Sequence, residues 1–366
     1  MASSEPLEIL PQNGLKSPEI LTISITDACN LVCRHCWVDA GVSATQTYAP
    51  VTSLRRIIEE FAALGGEGLR FTGGEPLCYP GWLELVQISR SFGFRTLALQ
   101  TNGMLFKDQD VDALHELDFP GLSIQISLDG ATEAAHDLVR GVGAFKAVME
   151  GILKLVEAGL APRISLFLTE MRHNLGEIPE MLDFADKMGI GSFSSGTMVL
   201  CGRAAETSLI APPAVEQYLA LIERFDQDDH FRALYARIGT VAALEWHKGE
   251  SVRQECCTFV ENPYLTPTGR LYPCLMCHAD EYSVTGAFEK GLLAALIEGV
   301  PRWSSLHRAS RCRADEIPEC QICPVKPFCG GGCMGRAWGS YGNLLAADDR
   351  CSTRQAIHRH TGKSLL

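Results

Sequence analysis

Residues 20–36 of this 366-residue chain read ILTISITDACNLVCRHC, and this stretch decides the fold. The β-branched and apolar residues from Ile20 to Thr26 predict a buried strand. Three cysteines follow in the next loop: Cys29, Cys33 and Cys36. Three thiolates at these spacings can converge on three irons of a [4Fe–4S] cubane, which normally takes four cysteines. The fourth iron then stays open to a small chelating ligand, much as a catalytic zinc site keeps one open position.

Spacing alone leaves a zinc site as the alternative for this loop. A structural zinc ion takes four Cys or His ligands at short spacing. His35 is a further ligand type in the loop, but its position beside Cys36 is awkward for a shared ion. The three cysteines therefore favour an iron–sulfur cluster.

Outward from this stretch, strand and helix patterns alternate up to about residue 200. The strand patterns are Ile20–Thr26, Leu69–Thr72, Phe94–Gln100, Leu122–Leu128, Ile164–Thr169 and Ile190–Leu200. Apolar residues at helical spacing lie between them, most clearly at 54–64, 145–156 and 178–188. Six strand–helix units predict an α/β fold with a parallel sheet and right-handed crossovers, open or closed into a partial barrel. Reactive groups of such sheets lie at the C-terminal strand ends.

Composition excludes several function classes. Hydrophobic residues make up 46% of the chain, enough for a sizeable core. The net charge of -12 argues against non-specific binding to nucleic acid or to an anionic membrane, because both require a basic surface. No apolar run reaches the length of a bilayer span, and residues 1–19 lack a secretory signal pattern. We expect a cytoplasmic protein with neither a nucleic-acid nor a membrane partner.

The chain has 15 cysteines, distributed unevenly. In a reducing compartment this number indicates metal or cluster ligation rather than disulfides. Ten of them lie between Cys256 and Cys351, whereas only Cys78 and Cys201 separate this group from the N-terminal three. Beyond about residue 250 the sequence is rich in Cys, Gly and Pro and has little periodicity. We expect that region to be held together by metal more than by a hydrophobic core.

The cysteine motif after a first strand resembles the signature of the radical S-adenosylmethionine (radical SAM) superfamily. Gly73, Gly74 and Glu75, after the second strand, resemble the family's Gly-Gly-Glu motif, and the resemblance covers residues 20 to about 205. It implies a partial (β/α)6 TIM-like barrel, a [4Fe–4S] cluster on the three cysteines and S-adenosylmethionine on the open iron. In the family, reduction cleaves S-adenosylmethionine to methionine and a 5′-deoxyadenosyl radical, which abstracts hydrogen from the substrate.

The resemblance also implies roles for individual side chains. The two glycines let the backbone approach a ligand, and Glu75 is expected to bind an ammonium group. Ser127 and Arg140 match segments that hold ribose and carboxylate, although they also fit a strand end and a helix salt bridge. His35 takes the position of an aromatic residue near the adenine. Weaker echoes of the family are Asn174, Gly202 and Arg203. Thr101, Asn102 and Gly103 end the third strand in the family's style, without an assigned role.

The second cysteine region resembles the seven-cysteine SPASM domain, which extends many radical SAM enzymes and typically holds two auxiliary [4Fe–4S] clusters. By position, the distal cluster takes Cys320, Cys323, Cys329 and Cys351. The nearer cluster takes Cys274 and Cys333, with Cys256 or Cys257 as a further ligand and Cys277 as a stand-in for the fourth. Without Cys277 it keeps an open iron. Two zinc knuckles are the alternative, because thiolate spacing alone does not separate zinc from iron–sulfur.

We divide the chain into an N-terminal segment (1–19), the barrel (20–210), a helical linker (211–250) and a SPASM-like domain (251–366). Relatives of this class modify peptides or tetrapyrroles. We favour oxidative modification of a peptide or protein side chain, by a thioether or carbon–carbon crosslink. The alternative is tetrapyrrole side-chain chemistry, as in alternative haem or haem d1 synthesis. A non-catalytic electron carrier, the alternative of another class, would not need Gly-Gly-Glu or an open cluster.

The sequence constrains the partners and the proton-transfer groups less than it constrains the cofactors. A sulfatase-type maturase is disfavoured, because Leu275 rather than an aspartate follows Cys274. The roughly 19 residues before the first strand leave no room for a leader-binding domain. We therefore expect a separate leader-binding protein, a leaderless peptide or a non-peptide substrate. Reduced flavodoxin or ferredoxin is the expected electron donor. Candidate acids or bases, by proximity to Cys277 only, are His278, Asp280 and Glu281.

Overall fold

A computed structural model describes residues 7–41, 46–248 and 260–360. Nine strands in these residues form one sheet: β1 Ile20–Ser24, β2 Gly68–Thr72, β3 Thr96–Thr101, β4 Leu122–Ser127, β5 Ile164–Glu170, β6 Ser192–Thr197, β7 Gly239–Val241, β8 Tyr264–Leu265 and β9 Leu271–Tyr272. Their order in the sheet is β7-β6-β5-β4-β3-β2-β1-β8-β9.

The six expected strands, β1 to β6, are parallel, and each pairs with its neighbours in sequence. Alternation along β4 shows how the sheet serves the site: Ile124 and Ile126 are fully buried in the hydrophobic core, whereas Gln125 and Ser127 line a cavity. Successive side chains of a strand point to opposite faces, so one face builds the core and the other the site. The predicted α/β fold with a parallel, TIM-like partial barrel is confirmed.

Three short strands extend the sheet at its edges. β7 pairs parallel with β6, β8 pairs parallel with β1, and β9 pairs antiparallel with β8. The sequence pattern missed them because two or three residues carry no measurable alternation. β8 and β9 belong to the cysteine-rich region, so the sheet continues into that region. The division at residues 210 and 250 stays a prediction.

Helices cover the strands and build the C-terminal region. In the described residues they are α1 Ile9–Gln12, α2 Val51–Ala63, α3 Trp82–Ser91, α4 Asp108–Glu116, α5 Glu133–Arg140, α6 Ala144–Glu157, α7 Ile178–Lys187, α8 Arg203–Glu206, α9 Val215–Gln227, α10 Asp229–Ile238, α11 Ala242–Lys248, α12 Ala287–Lys290, α13 Leu292–Glu316, α14 Pro318–Gln321, α15 Lys326–Cys329, α16 Met334–Tyr341 and α17 Cys351–His360. None of these helices combines the length and the apolar character needed to cross a bilayer.

The expectation that metal rather than a core holds the region beyond residue 250 is wrong for its longest helix. α13 has 25 residues, and Leu296 and Trp303 are buried in the same hydrophobic cluster as the strands. The indole Nε1 of Trp303 donates a hydrogen bond to the carbonyl of Tyr282 at 2.7 Å. The helical pattern was obscured because polar residues such as Ser310 and Arg313 are also buried on this helix.

Candidate active site

A cavity of about 530 Å³ lies at the carboxyl ends of the parallel strands. Its lining includes all the residues that the sequence assigned to the first cluster and its ligand: Cys29, Cys33, His35, Cys36, Gly73, Gly74, Glu75, Ser127 and Arg140. The structure therefore brings these side chains to one place, as expected for the C-terminal edge of a parallel sheet. Their individual roles stay predictions.

The cysteine loop is held by Arg203, which begins α8 and also lines the cavity. Its guanidinium donates to the carbonyl oxygens of Cys33 (2.9 Å) and Ala40 (2.8 Å). Its backbone N–H donates to the carbonyl of Cys36 at 3.1 Å and to the Asp39 carboxylate at 2.8 Å. Arg203 thus holds the part of the loop from Cys33 to Ala40, a stronger contribution than its weak sequence signal indicated.

The three thiols suit a cluster better than a single ion. Burial raises the pKa of Cys29 to about 12 and also raises the pKa of Cys33, so these thiolates need a cationic partner. Within residues 7–41, 46–248 and 260–360, no three Cys, His, Asp or Glu side chains meet closely enough to hold one metal ion. Ligands of a cubane bind separate irons, and three thiols leave one iron open, so the donor set fits a [4Fe–4S] cluster.

Glu75 is a fully buried carboxylate on the cavity wall. It accepts hydrogen bonds from the backbone N–H of Leu77 (3.0 Å), the hydroxyl of Thr101 (2.6 Å) and the backbone N–H of Asn102 (2.7 Å). Burial nevertheless raises its pKa above the ordinary value. Its orientation is fixed, and a cation in the cavity would favour its charged form.

Gly73 and Gly74 have a packing role in addition to the expected approach of the backbone to a ligand. A Cβ on Gly73, whose φ is +155°, would lie 2.3 Å from the carbonyl oxygen of Thr26, and one on Gly74 would lie 2.4 Å from that of Ala28. The backbone N–H groups of Gly74 and Glu75 donate to these same oxygens at 2.8 and 2.7 Å. The glycines therefore let the motif dock against the strand-to-cysteine connection.

Asp129 organises the polar groups after β4. Its carboxylate pairs with Arg140 Nε at 2.7 Å and accepts from the backbone N–H of Thr169 at 2.8 Å. Burial alone would raise the pKa of Asp129, but Arg140 and neighbouring histidines outweigh it and lower the pKa to about 2. The predicted salt bridge of Arg140 is thus present, while the residue also lines the cavity. Asn174 donates to the Asp129 carbonyl at 3.0 Å, which makes its role structural.

His35 is neutral in this environment. Burial lowers its pKa to about 4, so its 3.7 Å separation from Asp129 is not an ion pair at neutral pH. Its Nδ1 is buried and has no hydrogen-bond partner among the described residues. A neutral imidazole nitrogen on the cavity wall is suited to hydrogen bonding with a heterocycle.

Comparison with known proteins matches this architecture. Residues 23–185 match the family model of the radical SAM superfamily. An S-adenosylmethionine-dependent haem synthase of Methanosarcina barkeri is 26% identical over 358 residues, which cover 92% of this chain and 97% of the relative. The PqqA peptide cyclase of Gluconobacter oxydans is 27% identical over 343 residues, 92% of this chain and 90% of the relative. The structure of native anSMEcpe with bound S-adenosylmethionine superposes with a TM-score of 0.74 at 15% identity, over 94% of this chain and 97% of the other.

Residues 23–185 of this chain form a radical SAM domain. The protein is a radical SAM enzyme, with a [4Fe–4S] cluster and S-adenosylmethionine as cofactors, and the chain continues into a cysteine-rich C-terminal region.

The distal cysteines of the radical SAM enzyme come together. Cys320, Cys323, Cys329 and Cys351 line one small cavity. Burial, and then the neighbouring thiols of the other three, raise the pKa of Cys320 to about 11. Like charges this close disfavour the thiolate form unless a cation lies among them. The structure therefore brings the four residues together, although they come from α14, α15, α17 and a connecting turn, and their role as ligands stays a prediction.

Of the nearer set, Cys274, Cys277 and Cys333 lie in the described residues. Cys274 and Cys277 are both buried, and Cys277 is close enough to Cys333 for their charges to interact. Cys333 also lines the main cavity, as the N-terminal cysteine loop does. Cys256 and Cys257 lie outside the described residues. The cavity of the radical SAM enzyme thus reaches from the first cysteine set to a member of the second.

The candidate acids and bases near Cys277 do not line this cavity. The ring of His278 stacks on Tyr264 and Tyr272, with centroids 4.9 and 5.0 Å away, and also contacts Trp37 at 4.8 Å. Asp280 accepts a hydrogen bond from the Tyr272 hydroxyl at 2.7 Å. His278 therefore packs the second cysteine region against the residue after Cys36.

Sequence reasoning missed other residues of the site. Arg336, on α16, donates to the carbonyls of Thr197 and Met198, both at 2.8 Å, and forms a two-point contact with Asp349. It fastens the C-terminal region to the end of β6 and lines the cavity. Gln100 and Gln125 lie opposite each other on β3 and β4, and their amides hydrogen-bond in the cavity wall. Their only sequence signal was their place near strand ends.

Proposed function

We propose that this radical SAM enzyme oxidatively modifies a side chain of a peptide or protein. The observation that carries the proposal is the single cavity whose lining includes Cys29, Cys33 and Cys36 together with Cys333. A substrate group in this cavity lies within reach of both cysteine regions. That arrangement suits hydrogen abstraction followed by electron removal from the same side chain.

We propose that Cys29, Cys33 and Cys36 hold the first cluster. With S-adenosylmethionine bound, it supplies the 5′-deoxyadenosyl radical. Glu75 would accept hydrogen bonds from the ammonium group, because its carboxylate is already oriented by three donors. Arg140, anchored through Nε by Asp129, would present its remaining donors to the carboxylate. Ser127 would contact the ribose, and the His35 ring the adenine.

For the auxiliary clusters we propose two ligand sets. The distal set is Cys320, Cys323, Cys329 and Cys351, supported by their shared cavity. The nearer set is Cys274, Cys277 and Cys333, with Cys256 or Cys257 as the fourth ligand. The burial of Cys277 and its proximity to Cys333 support its inclusion.

The charges of the cavity wall favour a peptide over a tetrapyrrole. A tetrapyrrole with several carboxylates needs several cations, yet two of the three arginines in the described cavity wall are paired with carboxylates of the protein: Arg140 with Asp129 and Arg336 with Asp349. The third, Arg203, donates to carbonyl oxygens of the cysteine loop. The wall also contains the uncharged amides of Gln100 and Gln125, which suit a neutral side chain. The similarity to a peptide cyclase supports the same class.

Tetrapyrrole side-chain modification is the second candidate. It is favoured by the similarity to a haem synthase, because the alignment covers 97% of that protein. For either substrate we propose reduced flavodoxin or ferredoxin as electron donor and a cytoplasmic location. For a peptide that carries a leader, we propose recognition by a separate leader-binding protein.

The test is co-expression with short peptides encoded by neighbouring genes, followed by mass spectrometry of each peptide. We expect a loss of two hydrogens confined to one residue pair, and no loss with Cys33→Ala. The matched control is Cys312→Ala, which removes an exposed cysteine outside both proposed ligand sets and should preserve the modification. An unchanged peptide, together with removal of carboxylate from a porphyrin substrate, would establish the tetrapyrrole reaction instead.

A further inference from the structure

Gln355 contacts two of the four distal cysteines. It lies one helical turn after Cys351 on α17, so both side chains share a face of the helix. Its amide Nε2 is 3.5 Å from the Sγ of Cys351 and 3.6 Å from the Sγ of Cys323. An amide nitrogen carries two N–H donors, so one side chain can donate to both sulfurs. Gln355 also lines the small cavity between the cysteines.

One neighbouring cation, Arg354, is already neutralised. Arg354 lies close enough to Cys329 and Cys351 for their charges to interact. Its guanidinium, however, donates to the carboxylate of Asp348 from both Nη1 (3.2 Å) and Nη2. Because the pair carries no net charge, it balances little of the negative charge on the sulfurs. The direct N–H contacts of Gln355 are therefore well placed to act on the ligand sulfurs.

We propose that Gln355 is a positioning residue that sets the reduction potential of the distal auxiliary cluster, an inference that rests on the ligand set proposed above. When the cluster gains one electron, negative charge on its sulfurs increases and no covalent bond forms or breaks. Hydrogen bonds to more negative sulfurs are stronger, so the amide stabilises the reduced state and raises the potential. A higher potential makes the distal cluster the better acceptor for electrons that leave the substrate.

The experiment is a dithionite titration of reconstituted protein followed by electron paramagnetic resonance. The background carries Cys29→Ala, Cys33→Ala and Cys36→Ala, so that only auxiliary clusters contribute. Gln355→Leu should shift one midpoint potential to a more negative value. Gln355→Glu should shift it further, because a carboxylate replaces the donors. Gln321→Leu is the matched control, since that exposed amide bonds a backbone oxygen at 3.5 Å, and it should leave the potential unchanged.

Two results would overturn the proposal. One is full iron content with unchanged potentials in both Gln355 variants. The other result can be obtained even if the variants lose the cluster. The unsubstituted Gln355 protein is labelled with ¹⁵N in its glutamine side chains, and electron–nuclear double resonance should show hyperfine coupling between this nitrogen and the reduced distal cluster. Absence of coupling would contradict the inference. Failure of the ligand set itself is distinguishable, because the background protein would then hold only about one cluster's worth of iron.

Discussion

Glu75 combines full burial with three hydrogen-bond donors and a place on the cavity wall. We predict that Glu75→Ala weakens S-adenosylmethionine binding and leaves the iron content near normal, because the carboxylate acts on the ligand and not on the cluster. Loss of a hydrogen bond to a charged group costs roughly 1.5–3 kcal/mol, or roughly 10- to 100-fold in affinity. Equilibrium dialysis with reconstituted protein measures this. Glu84→Ala, at an exposed position on α3, is the control and should bind normally.

For Arg203 we expect a change in iron content rather than in ligand affinity alone, because its contacts go to the cysteine loop. Arg203→Ala removes the hydrogen bonds to the carbonyls of Cys33 and Ala40. We predict loss of up to one cluster's iron, about a third of the total, with the auxiliary clusters retained. Iron analysis and absorbance after reconstitution are the readouts. Arg172→Ala, an exposed arginine near the same edge, should retain full iron; equal iron in both variants would disprove the loop-clamping role.

Among single residues, the sequence predicted the site residues that belong to contiguous motifs. Cys29, Cys33, Cys36 and Glu75 were found because fixed local spacing reveals them. Thr101 and Asn102 reach Glu75, and Gln355 reaches Cys323, through hydrogen bonds between residues far apart in the sequence, and the chain pattern does not encode which residues meet there. Arg336 was missed for the same reason, since its partner Thr197 lies 139 residues away.

Helix α13 is the element for which the sequence-based expectation and the structure differ most. Its apolar side chains, including the fully buried Trp303, belong to the core that covers the sheet, and they need no metal. We predict that α13 amides stay protected from hydrogen exchange in cluster-free protein. The segment from Cys320 to Cys333 should exchange fast, because short helices without ligands are marginal. Hydrogen–deuterium exchange mass spectrometry compares the two; equal, fast exchange would restore the metal-dependent account.

The strands show which elements a sequence pattern predicts and which it does not. β1 to β6 were predictable because each has at least five residues bounded by turns, followed by an amphipathic helix. β8 and β9 have two residues each, and their place beside β1 depends on pairing rather than on local propensity. Polar residues buried on α13, such as Ser310, broke the apolar period that would have revealed it.

For the whole molecule, iron content tests the number of clusters. Three [4Fe–4S] clusters require about 12 irons and 12 sulfides per chain. We predict this content after anaerobic reconstitution, and a loss of about one third when Cys29, Cys33 and Cys36 are all replaced by Ala. The remaining two thirds report the auxiliary sites. Stoichiometric zinc with little sulfide would show that the C-terminal cysteines form zinc knuckles.

The central claim is that the radical formed at the first cysteine set takes hydrogen from a peptide side chain in the shared cavity. Transfer of deuterium tests it most directly. The neighbouring-gene peptide is produced with deuterium at all carbon positions and incubated with reduced enzyme and unlabelled S-adenosylmethionine. We predict 5′-deoxyadenosine one mass unit heavier, and no deuterated product with Cys33→Ala. Unlabelled 5′-deoxyadenosine from this peptide, with deuterium transferred instead from a deuterated porphyrin, would contradict the account.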